Sequence, residues 1–415
     1  MNRRQLLRTA TGVALAGTGT AVLGTPATPV AAAPTGPGLD ALLQNLHTAG
    51  IPGVHARVVS GGRGYAPAAG VADLHTGQPA RPGLRHRVGG VTKSFVAVAV
   101  LQLVHERRVD LDQPVTRYLP GVVPGERGRR ITVRMLLNHT SGIADYARVA
   151  LDPAGADGAL FATRASIAAT ATRTFTPREL VALGLGLPAA GEPGALWSYA
   201  NTNYVLLAML IERVTGRSYE AELTRRVLRP LGLAATGLPG GVRALPGPHL
   251  AAYVPWDDGH PRDFTRYDMS WAWGGADLIS TPGDLNRFYR LLLGGRVLPP
   301  AMLREMLTTV PMAAAYPEYA GYGLGIFWLA GACGRMWGHD GLAVGHSTYS
   351  GHSEDGHSVQ FTLAENMNFF PAGDARVAAT DAARSAFEGA VFDGCGTPAR
   401  AALWPHRIRN AAVLH

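Results

Sequence analysis

A mixed α/β (α+β) fold is predicted, with one antiparallel sheet built from the two ends of the chain and a mostly helical insertion between them. Three observations predict it. Strand-like runs cluster at both ends, at residues 54–60 and 65–74 and again at 323–329, 342–350 and 358–364. The middle of the chain carries helical spacing and capping signals instead. The third is composition: charged residues make up only 16% of 415 residues while glycine numbers 52, the balance of a globular chain with many turns. The implied organisation is a leader over 1–33, a sheet domain from 34–90 with 275–395, a helical domain over 91–274, and a tail at 396–415 that fits neither.

In chain order, Asn2-Arg3-Arg4-Gln5-Leu6-Leu7-Arg8 reads as the start of a twin-arginine export leader. A weakly apolar stretch and the small residues Val30-Ala31-Ala32-Ala33 follow it. That stretch is too short and too rich in Gly and Thr to span a bilayer, and no later run is long enough. The expected location is therefore secreted or extracytoplasmic. There Cys333 and Cys395 would either pair or remain as two buried thiols. Leu39, Leu42, Leu43 and Leu46 give a first helix, and Gly61-Gly62-Arg63-Gly64 joins two strands as a hairpin. Residues 91–105 are apolar nearly all round, which describes a helix buried on several sides. Thr132 caps a short helix, and residues 145–175 lack a clear period. Thr176-Pro177-Arg178-Glu179 is a capping box with proline at the first helical position. An apolar helix occupies about 203–214, Thr281-Pro282-Gly283-Asp284 opens another to 293, and an Ala-rich helix covers about 375–391.

Within this framework one residue stands out. Of the 38 Lys and Arg residues, Lys93 alone is lysine. Arginine cannot give up its proton, whereas a desolvated lysine can, so a chain that keeps a single amine at the start of a buried helix points to proton-transfer chemistry. The bland alternative is a chance survivor on a solvated face. Tyr199-Ala200-Asn201 and His339-Asp340-Gly341 add a phenol, an amide and an imidazole. Each has its own bland reading: a core tyrosine, a helix N-cap and a strand-entry turn. The net charge is +8, three of it from Arg3, Arg4 and Arg8, and the other arginines are scattered. No basic stripe interleaved with aromatics suggests nucleic acid. No metal or cofactor is called for.

Gly90-Val91-Thr92-Lys93, Tyr199-Ala200-Asn201 and His339-Asp340-Gly341 stand in order with ITVRMLLNHTSGI at 131–143 and SWAWGGADLISTPGDL at 270–285. Together they resemble the penicillin-recognising serine hydrolases, in particular the serine D-Ala-D-Ala carboxypeptidases, class C β-lactamases and related esterases. The resemblance covers most of residues 40–393. It implies a serine β-lactamase or DD-peptidase-like fold, a small-molecule or peptide-like acyl substrate, and a monomer without cofactor. It also implies site roles. Lys93 and Tyr199 share a proton as bases, Asn201 holds a substrate amide, and His339 takes the third-motif position. Asp340 and Gly341 complete that motif, and the main-chain N–H groups of Gly90 and Leu342 form an oxyanion hole. Trp271 or Trp273 walls the site, the alternative being core indoles.

Three departures matter. The serine of S-x-x-K is replaced by Gly90, and loss of a nucleophile costs roughly a million-fold in turnover in one serine protease. Neither Thr92 nor Ser94 lies one turn before the amine. Asp340 stands where a hydroxyl would meet a substrate carboxylate, and residues 325–331 (GIFWLAG) are apolar where carboxypeptidases offer an arginine. The last two departures point away from free-carboxylate peptides and towards esters, amides or end-blocked peptides. Together the departures leave three readings: a disabled member that binds ligand, a residual hydrolase using a water activated by Lys93 and Tyr199, or a non-catalytic binder of cell-wall peptides.

Overall fold

A computed structural model describes residues 36–150, 164–256, 258–312, 318–331, 333–371 and 373–392, all within one compact unit. The leader, the 396–415 tail and Cys395 lie outside the described residues. Cys333 is disulfide-bonded.

The expected sheet is present, and among the described residues it has ten strands. From the N-terminal end come β1 (Gly53–Ser60), β2 (Arg63–Tyr65), β3 (Ala68–Asp73) and β4 (Gln78–Pro79). From the C-terminal end come β5 (Val310–Pro311), β6 (Ala320–Tyr322), β7 (Phe327–Gly331), β8 (Gly334–Ala343), β9 (His346–Ser353) and β10 (Val359–Glu365). Their order is β4-β3-β1-β10-β9-β8-β7-β6-β5 with β2 beside β1, antiparallel throughout. The two ends meet where Val54 pairs with Glu365 and Ser60 with Val359.

The sheet separates two cores. On one face Leu39, Leu43 and Leu46 of α1 (Gly36–Thr48) pack with Val54, Ala56 and Val58 of β1 and with Phe387, Val391 and Phe392 of the C-terminal helix. On the other lies a larger core built on α2 (Thr92–His105), α3 (Asn201–Thr215) and α4 (Pro282–Leu293), joined by Trp328 and Trp337 of the sheet. The period of two along β1 decides this division: Val54, Ala56 and Val58 enter the first core, so His55, Arg57 and Val59 turn to α4. The C-terminal helix α5 (Ala375–Phe392) is tied down by Arg384, which donates to both carboxylate oxygens of Glu365 at 2.9 and 3.0 Å.

Three strand boundaries differ from expectation. The run at 65–74 is broken at Ala66-Pro67, where proline cannot donate to a ladder. The run at 323–329 begins in the turn between β6 and β7 and is strand only from Phe327. The run at 342–350 contains a reversal at Val344-Gly345, with Gly345 at φ +76°. His339-Asp340-Gly341 therefore lies inside β8 rather than at the entry of a strand. Helix signals fared better, because caps act locally. Thr132, Thr176 and Thr281 all cap as expected, Thr176 through a full capping box.

One prediction comes from the outer core. Burial pushes Glu388 of α5 up to about 8, against the Arg384 guanidinium, which draws it down. The folded state therefore holds a proton that the unfolded chain releases near 4.5, so this group's contribution to stability declines as pH rises from about 4.5 to about 8. Glu388→Gln should flatten that slope and stabilise the protein at pH 8 by on the order of 1 kcal/mol. Urea unfolding at pH 5 and pH 8 reads both effects; an unchanged slope would contradict the assignment.

Candidate active site

The site is assembled where α2 begins. A two-stranded ribbon of His86–Arg87 and Ile279–Ser280 delivers the chain into a 3-10 turn, Gly89–Val91, that runs directly into α2. Thr92 fastens this turn: its hydroxyl donates to the Gly89 carbonyl at 2.7 Å and accepts from the Leu278 N–H at 3.1 Å. Ser94 is likewise occupied, donating to the Gly325 carbonyl at 2.6 Å with the Tyr289 hydroxyl 2.9 Å away. Both hydroxyls flanking Lys93 thus serve structure.

Lys93 is fully buried. Its Nζ donates to Asn201 Oδ1 at 2.8 Å and to the Gly275 carbonyl at 2.9 Å, and sits 4.8 Å from the Tyr199 ring centroid and 5.4 Å from that of Tyr204. A buried amine requires such partners, because an unmatched one would shed its charge or unfold its surroundings. Asn201 is not the N-cap of α3. Ala200 is, and Asn201 is the first helical residue. Its Nδ2 donates to Asp145 Oδ2 at 2.9 Å and its N–H to Asp145 Oδ1 at 3.1 Å. Burial pushes the Asp145 carboxyl up, while the Ala147 N–H, the Lys93 charge and Asn201 draw it down. Amine, amide and buried carboxylate therefore form one chain.

The Tyr199 hydroxyl is 3.5 Å from Asn201 Oδ1. His139 positions the segment before α3. Its carbonyl accepts from the Ser198 N–H at 2.8 Å, its Nδ1 accepts from the Ala200 N–H at 3.3 Å and lies 3.1 Å from Asn203 Nδ2, and its ring packs 4.5 Å from that of Tyr199. It holds φ +62°, a conformation non-glycine residues adopt at a cost, here offset by those bonds.

From the other side β8 brings His339, whose Nε2 is 3.0 Å from the Tyr322 hydroxyl and whose Nδ1 is 2.6 Å from the Asp340 carbonyl. A Cβ on Gly90 would lie 2.8 Å from the Asp340 carbonyl oxygen, 3.1 Å from His339 Cε1 and 3.3 Å from the Tyr199 hydroxyl. The nucleophile position, the phenol and the imidazole thus converge on one point. Strand and turn are in close contact there: a Cβ on Gly341 would fall 1.8 Å from the Val88 carbonyl and 2.8 Å from the Gly90 nitrogen, so only glycine fits. Leu342 follows at the same contact, its main chain against Gly89. Asp340 is buried, its carboxylate 3.6 Å from His339 Nδ1.

Gly90, Lys93, Tyr199, Asn201 and His339 are therefore brought together. The tryptophans are not part of this cluster. Trp271 packs in the helical core, and the Trp273 indole donates to Glu220 at 3.0 Å beside Tyr219, in a separate small pocket. Apolar composition around these indoles signals core as readily as a binding wall: Trp271 is core, while Trp273 is half-buried at the small pocket. Asp145, His139, Tyr204, Tyr322 and the Gly275 carbonyl were not singled out from sequence. His139 and Gly275 lie inside two quoted motifs; Asp145 and Tyr322 carry no local signal.

An amine and a phenol facing a main-chain turn at the head of a buried helix can exchange a proton there, which acyl-transfer chemistry requires. The family is settled by comparison. Residues 39–384 match the family model described as Beta-lactamase, and the chain belongs to that family. Among curated relatives, a putative penicillin-binding protein PbpX of Bacillus subtilis is 23% identical over 68% of this chain and 62% of its own length. Esterase EstB of Burkholderia gladioli is 33% identical over 49% and 50%. The matches thus span about half to five-eighths of those relatives. Among solved structures, a D-stereospecific amidohydrolase from Streptomyces sp. superposes with a TM-score of 0.72 at 37% identity, over 84% of this chain and 98% of its own. A D-amino acid amidase from Ochrobactrum anthropi SV3 gives 0.69 at 25% identity, over 80% and 91%.

Asp145→Ala removes the acceptor for two N–H groups of Asn201 and should destabilise the fold by roughly 1–3 kcal/mol. Lys93→Met, which keeps the stem and drops the amine, should cost less in the Asp145→Ala background than alone, because the two act through one chain. A double-mutant cycle by urea unfolding measures this coupling, and strict additivity would contradict it.

Proposed function

We propose that this protein is a beta-lactamase-family scaffold that binds an amide, ester or end-blocked peptide with little or no acyl-enzyme turnover, because the nucleophile position is occupied by Gly90. The observation that carries this reading is the point beside Gly90 where Tyr199 and His339 converge, with the Lys93 Nζ 4.8 Å from the Tyr199 ring centroid and no hydroxyl supplied by the turn; Thr92 and Ser94 are committed elsewhere. The likeness to a D-stereospecific amidohydrolase and a D-amino acid amidase supports D-configured amino acid amides as the ligand class. The β7 strand supports an uncharged end: Phe327 packs 5.2 Å from the His339 ring, in the segment where a carboxypeptidase would offer an arginine. The Asn2–Arg8 segment supports export, which fractionation of the producing cell would test.

The experiment is intact-mass spectrometry after exposure to a D-amino acid amide, an activated ester and benzylpenicillin. The wild-type protein should gain no covalent mass. Gly90→Ser should acquire the acyl mass. The new Oγ attacks the carbonyl, its proton passes through Lys93 and Tyr199 to the leaving amine or alcohol, and the C–N or C–O bond breaks. The new Cβ would lie 2.8 Å from the main-chain oxygen of Asp340, so the backbone there has to shift to admit it, and folding of the variant is checked by circular dichroism. Acylation of the wild-type chain, or a folded Gly90→Ser that stays inert to all three donors, would overturn the reading. Hydrolysis by the wild type without added mass, abolished by Lys93→Ala, would replace it with a water-based route.

A further inference from the structure

Away from the Gly90 site, a cavity of about 490 Å³ lies between β1 and the N-terminal end of α4. Its chemistry is one-sided. Arg57 from β1 and Arg287 and Arg290 from α4 line it, and no carboxylate among the described residues does. None of the three guanidiniums has an ion-pair partner among the described residues. Thr281, Pro282 and Gly283 bring the N-terminal end of the twelve-residue α4 to the same space, where the helix dipole favours negative charge. The fourth feature is independent of these. His55 lines the cavity on the face of β1 that carries Arg57, is 0% exposed, and neither ring nitrogen has a hydrogen-bond partner among the described residues. The His55 ring packs edge-on against that of His86, centroids 5.8 Å apart, and a buried imidazole left without a hydrogen-bond partner costs stability.

We propose that this cavity is a binding site for a phosphate-bearing ligand. A tetrahedral dianion has enough acceptor oxygens to engage more than one guanidinium together with an imidazole N–H, more than a single carboxylate can satisfy. Burial lowers His55 to about 3, so it serves as a neutral N–H donor while the arginines supply the charge. Arg287 already donates through Nε to the Leu231 carbonyl at 2.6 Å, which fixes its fork at the rim. Asn286, whose Nδ2 donates to the Arg57 carbonyl at 3.0 Å, holds β1 and α4 at the spacing that keeps the cavity open. The volume falls in the range of small-molecule sites and exceeds one phosphate group, so the phosphate belongs to a larger organic body. That body is either a soluble phosphate ester or the headgroup of an anionic lipid.

Calorimetric titration of the wild-type protein at low ionic strength tests this with glycerol 3-phosphate, with citrate, and with vesicles of phosphatidylglycerol against phosphatidylcholine alone. Saturable one-site binding of glycerol 3-phosphate, or of the phosphatidylglycerol vesicles alone, supports the site and tells the two sources apart. Arg57→Gln and Arg290→Gln should each weaken it at least tenfold with thermal unfolding unchanged, whereas Arg229→Gln, outside the cavity, should leave it intact. No binding at millimolar ligand, equal binding of citrate, or binding indifferent to both cavity variants would overturn the proposal.

Discussion

The chain of contacts from the Lys93 amine through the Asn201 amide to the Asp145 carboxylate is the constraint on which the rest of the site depends. An amine with no exposure to water is tolerated only when its hydrogens are matched, and here they are matched by two oxygens from distant parts of the sequence, Asn201 Oδ1 and the Gly275 carbonyl. Holding Asn201 in that orientation falls to Asp145, which grips both its side chain and its backbone. The start of α3, the loop before it and the 270–285 segment are therefore fixed relative to α2 by one polar thread.

Glycine at position 90 belongs to a larger accommodation between the turn and the sheet. β8 passes so close that Gly341 admits no side chain, and the Asp340 carbonyl stands 2.8 Å from where a Cβ on Gly90 would project. The bases, the amide and the imidazole keep their places around that point because their supports are elsewhere: Tyr199 leans on His139, and His339 on Tyr322 and the Asp340 carbonyl. Glycine at position 90 is thus compatible with the observed places of the amine, the phenol, the amide and the imidazole.

Much of this was legible in the sequence, for identifiable reasons. The lone lysine announced itself by contrast with the arginines, and helix caps such as Thr176 and Thr281 are decided by residues within one turn. The two-ended sheet followed from strand-like runs at 54–60 and 358–364, which pair as β1 and β10. What escaped detection was non-local or ambiguous. Asp145 acts on Asn201 across 56 residues, and Tyr322 meets His339 only because two hairpins fold together. The β8–β9 turn hid inside an apolar run, since Val344-Gly345 reads as strand until its partners are known. Trp271 and Trp273 illustrate the limit of composition: an indole beside a motif is equally at home in a core.

Because the chain contains a single lysine, ¹⁵N-lysine labelling gives one side-chain resonance, and it reports on the central contact without assignment. The account predicts an amine signal that persists against exchange with water, shifts in Asp145→Asn, and shifts again on saturation with a D-amino acid amide while the ligand is recovered intact. A signal that exchanges like an exposed lysine and ignores both the variant and the ligand would contradict it.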